Sequence, residues 1–222
     1  MQSLRIAVDD TGPIIVASTP GGRIVILEGG RIGGPDYGKV LWNFQDGAPD
    51  DGNGAMALAV RSNPTGDVDI FVGIVTTHLD PVPFQSGSPG KLTGGIRWLR
   101  WNRPPDSEAG LTAVGGFRHL DPTDSPGTDP RGGFGVCGLA VGDVLPGNPG
   151  DELVATTLEG DLYIFAAPQS GGDLGTATPL FRTWVPGALG VCNSIVIQDD
   201  GSGGPPELYV GGSQGIWKWR VP

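Results

Sequence analysis

The chain has 222 residues, 40 of them Gly and 21 Pro, and a formal charge of −10. Gly and Pro cost about 1 and 3 kcal/mol inside a helix, so this composition argues against a helical bundle. Leu, Ile, Val and Phe nonetheless make up 57 of the 222 residues, above the roughly 20% that separates folded from disordered chains, while the acidic excess argues against nucleic acid or an anionic membrane as partner.

The predicted elements fall into a fourfold repeat. The first repeat reads Ile6-Ala7-Val8-Asp9-Asp10, Ile14-Ile15-Val16-Ala17, then Gly22-Arg23-Ile24-Val25-Ile26-Leu27. The second reads Leu58-Ala59-Val60-Arg61-Ser62, Asp69-Ile70-Phe71-Val72-Gly73, then Gly95-Ile96-Arg97-Trp98-Leu99. In the third, Leu139-Ala140-Val141-Gly142-Asp143 is followed by Glu152-Leu153-Val154-Ala155-Thr156 and Gly160-Asp161-Leu162-Tyr163-Ile164-Phe165. In the fourth, Ile195-Val196-Ile197-Gln198-Asp199 is followed by Glu207-Leu208-Tyr209-Val210-Gly211 and Gly215-Ile216-Trp217-Lys218-Trp219-Arg220. Each segment is rich in β-branched and aromatic residues and bounded by Gly, Pro or Asp, the pattern of short strands joined by turns.

A fourth strand follows in three repeats, at 39–44, 111–114 and 179–184. Four strands per repeat at a spacing of roughly 50 residues is the unit of a β-propeller blade. The expected fold is therefore all-β, a propeller of about four four-stranded blades, the last lacking its outer strand. The blades are expected at 4–53, 54–133, 134–189 and 190–222. Leu4 to Val8 already reads as an inner strand, so the N-terminus offers no strand to complete the fourth blade. Three readings follow: an imperfectly closed four-bladed ring, a share of a larger seven- or eight-bladed ring, or a propeller completed by another chain.

The third repeat, with Gly142-Asp143-Val144, Asp151-Glu152-Leu153-Val154 and Gly160-Asp161-Leu162-Tyr163, resembles the FG-GAP or integrin-α-type repeat, which is VCBS-like. Asp199-Asp200-Gly201-Ser202-Gly203 before Glu207-Leu208-Tyr209-Val210 carries the same likeness. Gly160-Asp161-Leu162-Tyr163 and Gly38-Lys39-Val40-Leu41-Trp42 are also similar to quinoprotein-type blades. The first resemblance implies calcium in the Asp-rich loops, held by Asp143, Asn148 and Asp151 in the third repeat or by Asp199, Asp200, Ser202 and Glu207 in the fourth. Calcium takes six to eight oxygen ligands. The same residue types also satisfy a tight turn without metal, by bonding the nearby backbone. The resemblance further implies an extracellular, periplasmic or cell-surface location, although Met1 to Arg5 lack the apolar stretch of a signal peptide.

No catalytic constellation emerges from the sequence. His78 and His119 have no second His or Cys at a metal-ligand spacing, and no nucleophile elbow appears in a strand–turn–helix context. Cys137 and Cys192 sit in matching Gly-Val-Cys settings, which read either as two small buried hydrophobes or as a bridge. Cations interleave with indoles in Arg97-Trp98-Leu99-Arg100-Trp101 and in Trp217-Lys218-Trp219-Arg220. On a strand Trp217 and Trp219 share one face and Lys218 and Arg220 the other. Such a stripe makes either a stacking platform for a sugar or partner chain, or filling between blades with snorkelling cations. Trp98, Arg100 and Trp101, with His78 and His119, are the candidate ligand or partner residues, and the long loops at 76–92, 104–109 and 121–133 are where a ligand is expected.

The expected function is a non-catalytic propeller module that binds protein or carbohydrate, or a structural subunit of an assembly. The alternative is the C-terminal part of a propeller enzyme, quinoprotein-like or polysaccharide-cleaving.

Overall fold

The computed structural model describes residues 3–19, 22–30, 32–45, 53–76, 93–103, 110–115, 118–120, 135–158, 160–169, 172–185, 194–199, 206–212 and 215–220. The first sheet holds β1 (Ser3–Asp9), β2 (Gly12–Ser18), β3 (Arg23–Glu28) and β4 (Val40–Gln45). The second holds β5 (Asn53–Ser62), β6 (Val68–Thr76), β7 (Thr93–Asn102), β8 (Gly110–Ala113) and the short β9 (Arg118–His119). The third holds β10 (Val136–Gly142), β11 (Glu152–Thr157), β12 (Asp161–Ala166) and β13 (Phe181–Trp184). The fourth holds β14 (Ile195–Gln198), β15 (Glu207–Gly212) and β16 (Gly215–Trp219).

Every sheet is an antiparallel meander in chain order, β8 and β9 both pairing with β7. The protein is an all-β propeller of four blades, and the fourth has three strands among the described residues. Sequence and structure agree strand by strand within the repeats. Residues 118–119, outside the strands expected from the sequence, form the extra strand β9.

Local chemistry sets these meanders. At the first hairpin Asp9 lies opposite Gly12, whose φ of 135° favours glycine. One Asp9 carboxylate oxygen accepts bonds from the Thr11 and Gly12 amides at 2.9 and 3.1 Å and from the Thr11 hydroxyl at 2.8 Å. The turn is thus closed by its own side chain.

The blades stack face to face, each with a front toward the next blade in the chain and a back toward the preceding one. Ala7, Ile14 and Ile26 on the front of blade 1 meet Leu58, Ile70, Leu99 and Trp101 on the back of blade 2. Ala59, Phe71 and Trp98 on the front of blade 2 meet Leu139, Leu153, Tyr163 and Phe165 on the back of blade 3. Val154 and Ile164 then meet Ile195, Leu208, Val210 and the flanking Trp217 and Trp219 of blade 4. In the inner blades both faces are covered, and all six residues of β11 are buried. That is why the sequence shows continuous apolar runs where a half-exposed sheet would alternate.

Candidate functional site

Among the described residues, the first and fourth blades each have one face with no blade packed on it. On β1, alternation points Ala7 and Asp9 into the stack and Leu4, Ile6 and Val8 away from it. Ile6 is 66% exposed and Val8 54%. Ile15 and Leu27, cross-strand neighbours of Ile6, continue this face. It is the back of blade 1. At the other end, the front of blade 4 carries Val196, Tyr209 and Lys218 in one cross-strand row, with Ile216 beside them. Val196 is 54% exposed and Ile216 76%.

Several charged groups are embedded in the front faces. Asp9, on the front of blade 1, receives the Trp101 indole N–H at 2.9 Å and Arg103 at 3.1 Å from blade 2. On the front of blade 2, Asp69 is fully buried between Arg61 at 2.7 Å and Arg100 at 2.9 Å. Burial, the largest single influence, would raise the Asp69 pKa, but hydrogen bonding from Arg61, Arg100, Asn63 and Trp98 together outweighs it and holds the carboxyl below its usual value. Arg61 also donates to the Pro168 carbonyl of blade 3 at 2.6 Å, bridging the two blades. On the front of blade 4, Glu207 takes bonds from Lys218 at 2.7 Å, Arg220 at 2.6 Å and the Tyr209 hydroxyl at 2.8 Å. These donors pull its pKa down to about 2 and raise that of Lys218.

The inner strands line an open cleft of about 470 Å³, with residues of β1, β5, β10 and β14 around it, among them Arg5, Val60, Ala140 and Val196. Burial lowers the pKa of Arg5, the one ionisable side chain among the described residues of that lining.

The sequence-derived candidates are distributed as follows. Trp98 and Trp101 point to opposite faces of β7 and are both buried in the blade stack. Trp98 stacks on Phe71 at 6.2 Å between ring centres, and Trp101 meets Trp42 edge-on at 6.2 Å. Arg100 sits over the Trp98 ring at 5.3 Å while paired with Asp69. Trp217 and Trp219 face blade 3 and Lys218 and Arg220 the open side, as alternation requires.

In the third repeat, the Glu152 carboxylate accepts bonds from the Val144 and Leu145 amides at 2.7 and 3.1 Å and from the Asn148 amide group. Asp143 is exposed and Asp151 lies 3.9 Å from Arg61. Asp199 is exposed. Among the described residues no three His, Cys, Asp or Glu side chains gather as ligands for one metal. Asp200, Ser202, His78 and Cys192 lie outside the described residues, as do 77–92, 104–109 and 121–133; of His119 only the backbone pairing of β9 is described. Cys137 is buried, its sulfur 3.7 Å from the Thr156 carbonyl.

The open end faces were not among the sequence candidates. The signal was present in the repeats: Ile6 occupies the back-facing position of Leu58, Leu139 and Ile195, which are 0%, 1% and 5% exposed, whereas Ile6 itself is 66% exposed. No helix among the described residues is long and apolar enough to cross a membrane.

No protein-family model matches the chain, and no curated protein does. Among solved structures it is similar to BBS1N, in a crystal structure of BBS1N in complex with ARL6DN soaked with mercury. The sequence identity is 12% and the TM-score 0.43, with 99% of this chain and 64% of that chain covered. The chain therefore spans about two thirds of the length of that structure.

Proposed function

We propose that this chain is a non-catalytic β-propeller module, built from FG-GAP-like repeats, that binds protein through the open faces of its end blades. The observation that carries the reading is the back of blade 1, where Leu4, Ile6 and Val8 stand exposed on one strand beside Ile15 and Leu27. A contiguous apolar patch is costly to leave in water and marks a surface that another protein covers. In blades 2, 3 and 4 the positions of Ile6 (Leu58, Leu139 and Ile195) are buried against a neighbouring blade and those of Val8 (Val60, Val141 and Ile197) are partly buried against it, so the face is shaped for sheet-on-sheet contact.

A photo-cross-linking residue at Ile6, compared with one at the exposed Thr112 on β8, tests this in a native extract. The expected result is protein adducts at position 6 and none at 112. No adduct at position 6, or equal labelling at both, would overturn the reading.

A further inference from the structure

We infer that the protein covering the back of blade 1 is the front of blade 4 from a second copy of this chain, and that two copies close one eight-bladed ring. This rests on the proposed protein-binding role of the open faces and names the partner.

The front of blade 4 matches the front of blade 2, which the chain itself covers with blade 3. The row Ala59, Phe71, Trp98 of blade 2 corresponds to Val196, Tyr209, Lys218 of blade 4. Asp69 begins the second segment of its repeat as Glu207 does in blade 4. Each is gripped from the third segment by an arginine side chain, Arg100 Nε at 2.9 Å and Arg220 Nε at 3.0 Å. A cation lies over the matched ring in both, Arg61 over Phe71 and Lys218 over Tyr209, each at 5.9 Å. In blade 2 the front-face carboxylate belongs to an interface element, since its partner Arg61 reaches across to the Pro168 carbonyl of blade 3. In blade 4 Gln198 holds the Arg61 position opposite Glu207, and the cations on the carboxylate, Lys218 and Arg220, come from the third segment on the open side of the stack.

What blade 2 presents its front to is the apolar back of blade 3, where Leu139 and Val141 lie on the inner strand. Ile6 and Val8 occupy those positions on the back of blade 1. Among the described residues, each copy thus presents one front and one back with no neighbouring blade against it, of the kinds that already pair three times inside the chain. A front-to-back contact is head-to-tail, and such contacts either close into a ring or run on as a filament. Two copies bring eight blades, within the four to eight usual for propellers, whereas three would bring twelve.

Light scattering of the purified chain over a dilution series should give twice the 22.9 kDa chain mass. Ile6→Glu on the back face and Val196→Glu on the front face should each halve it; both positions are more than half exposed within one chain, and unchanged circular dichroism checks that the blades remain folded. Mixing the two variants should restore a dimer, because the intact back of one still meets the intact front of the other. A monomeric wild type, a Val196→Glu variant that stays dimeric while Ile6→Glu does not, or a mixture that stays monomeric would each overturn the inference. If the wild type is monomeric while position 6 cross-links to a different protein, the protein-binding reading stands and the self-assembly falls. If position 6 labels nothing, both fall.

Discussion

At the scale of single residues, the acids are the instructive group. Asp69, Glu152 and Glu207 each begin the second segment of a repeat, and Glu207 reads in the sequence either as a turn former or as a calcium ligand. Each is instead satisfied by a different local solution: two arginines for Asp69, two backbone amides and Asn148 for Glu152, and Lys218, Arg220 and Tyr209 for Glu207. The sequence shows that a carboxylate stands there but not which donors reach it, because those donors come from neighbouring strands or loops. The Glu207 cluster has a measurable consequence. Its folded pKa lies near 2 against an ordinary 4.5, so the charged form is favoured by folding. That contribution is fully present above pH 4.5 and is lost as pH falls from 4.5 toward 2. Glu207→Gln should therefore unfold at lower urea than the wild type at neutral pH, with the gap closing across that acid window. Urea midpoints that run parallel for the two proteins at every pH would show that the cluster contributes no pH-dependent stability.

At the scale of elements, the strands were legible because turn residues bracket them and β-branched residues fill them. Less legible was which face of a strand would be covered. Trp98 and Trp101 illustrate this: three positions apart on one strand, they point to opposite faces, one into the contact with blade 3 and the other into the contact with blade 1. Cation and indole interleaving looks the same on an exposed platform as in a stacked interface, so the pattern alone left both readings open. Close approach between blades was hidden as well. Gly73 lies on the front of β6, where a Cβ would stand 2.7 Å from Val136 Cγ1 and 3.0 Å from the Val136 carbonyl oxygen. The backbone oxygen cannot yield as a side-chain tip could, so Gly73→Ala should push blades 2 and 3 apart at a cost of about 1–3 kcal/mol. Gly110→Ala, where a Cβ meets nothing within 4 Å, is the control and should stay within about 0.5 kcal/mol of wild type. Equal chemical-denaturation midpoints for the two variants would show that the blades accommodate the methyl group.

At the scale of the whole molecule, stability is set by how many neighbours a blade has. Blades 2 and 3 are each covered on both faces, whereas blades 1 and 4 are each covered on one. Stacked repeats of this kind behave as a nearest-neighbour chain, in which an end unit gains one interface term and an inner unit two. Blade 4 is further reduced to three strands among the described residues, and its β16 has no outer strand beside it there. Its amides should open without unfolding the rest, since local opening follows the contacts that a unit must break. Native-state hydrogen exchange of the isolated chain, held at a concentration where it is monomeric, should therefore rank β15 well below β6 and β11 in protection. Association with a second copy would cover the front of blade 4 and lift β15 toward the inner strands, leaving β6 and β11 little changed. Uniform protection of β6, β11 and β15 in the monomer would mean that the four blades unfold as one unit, with coupling strong enough to hide the missing neighbour.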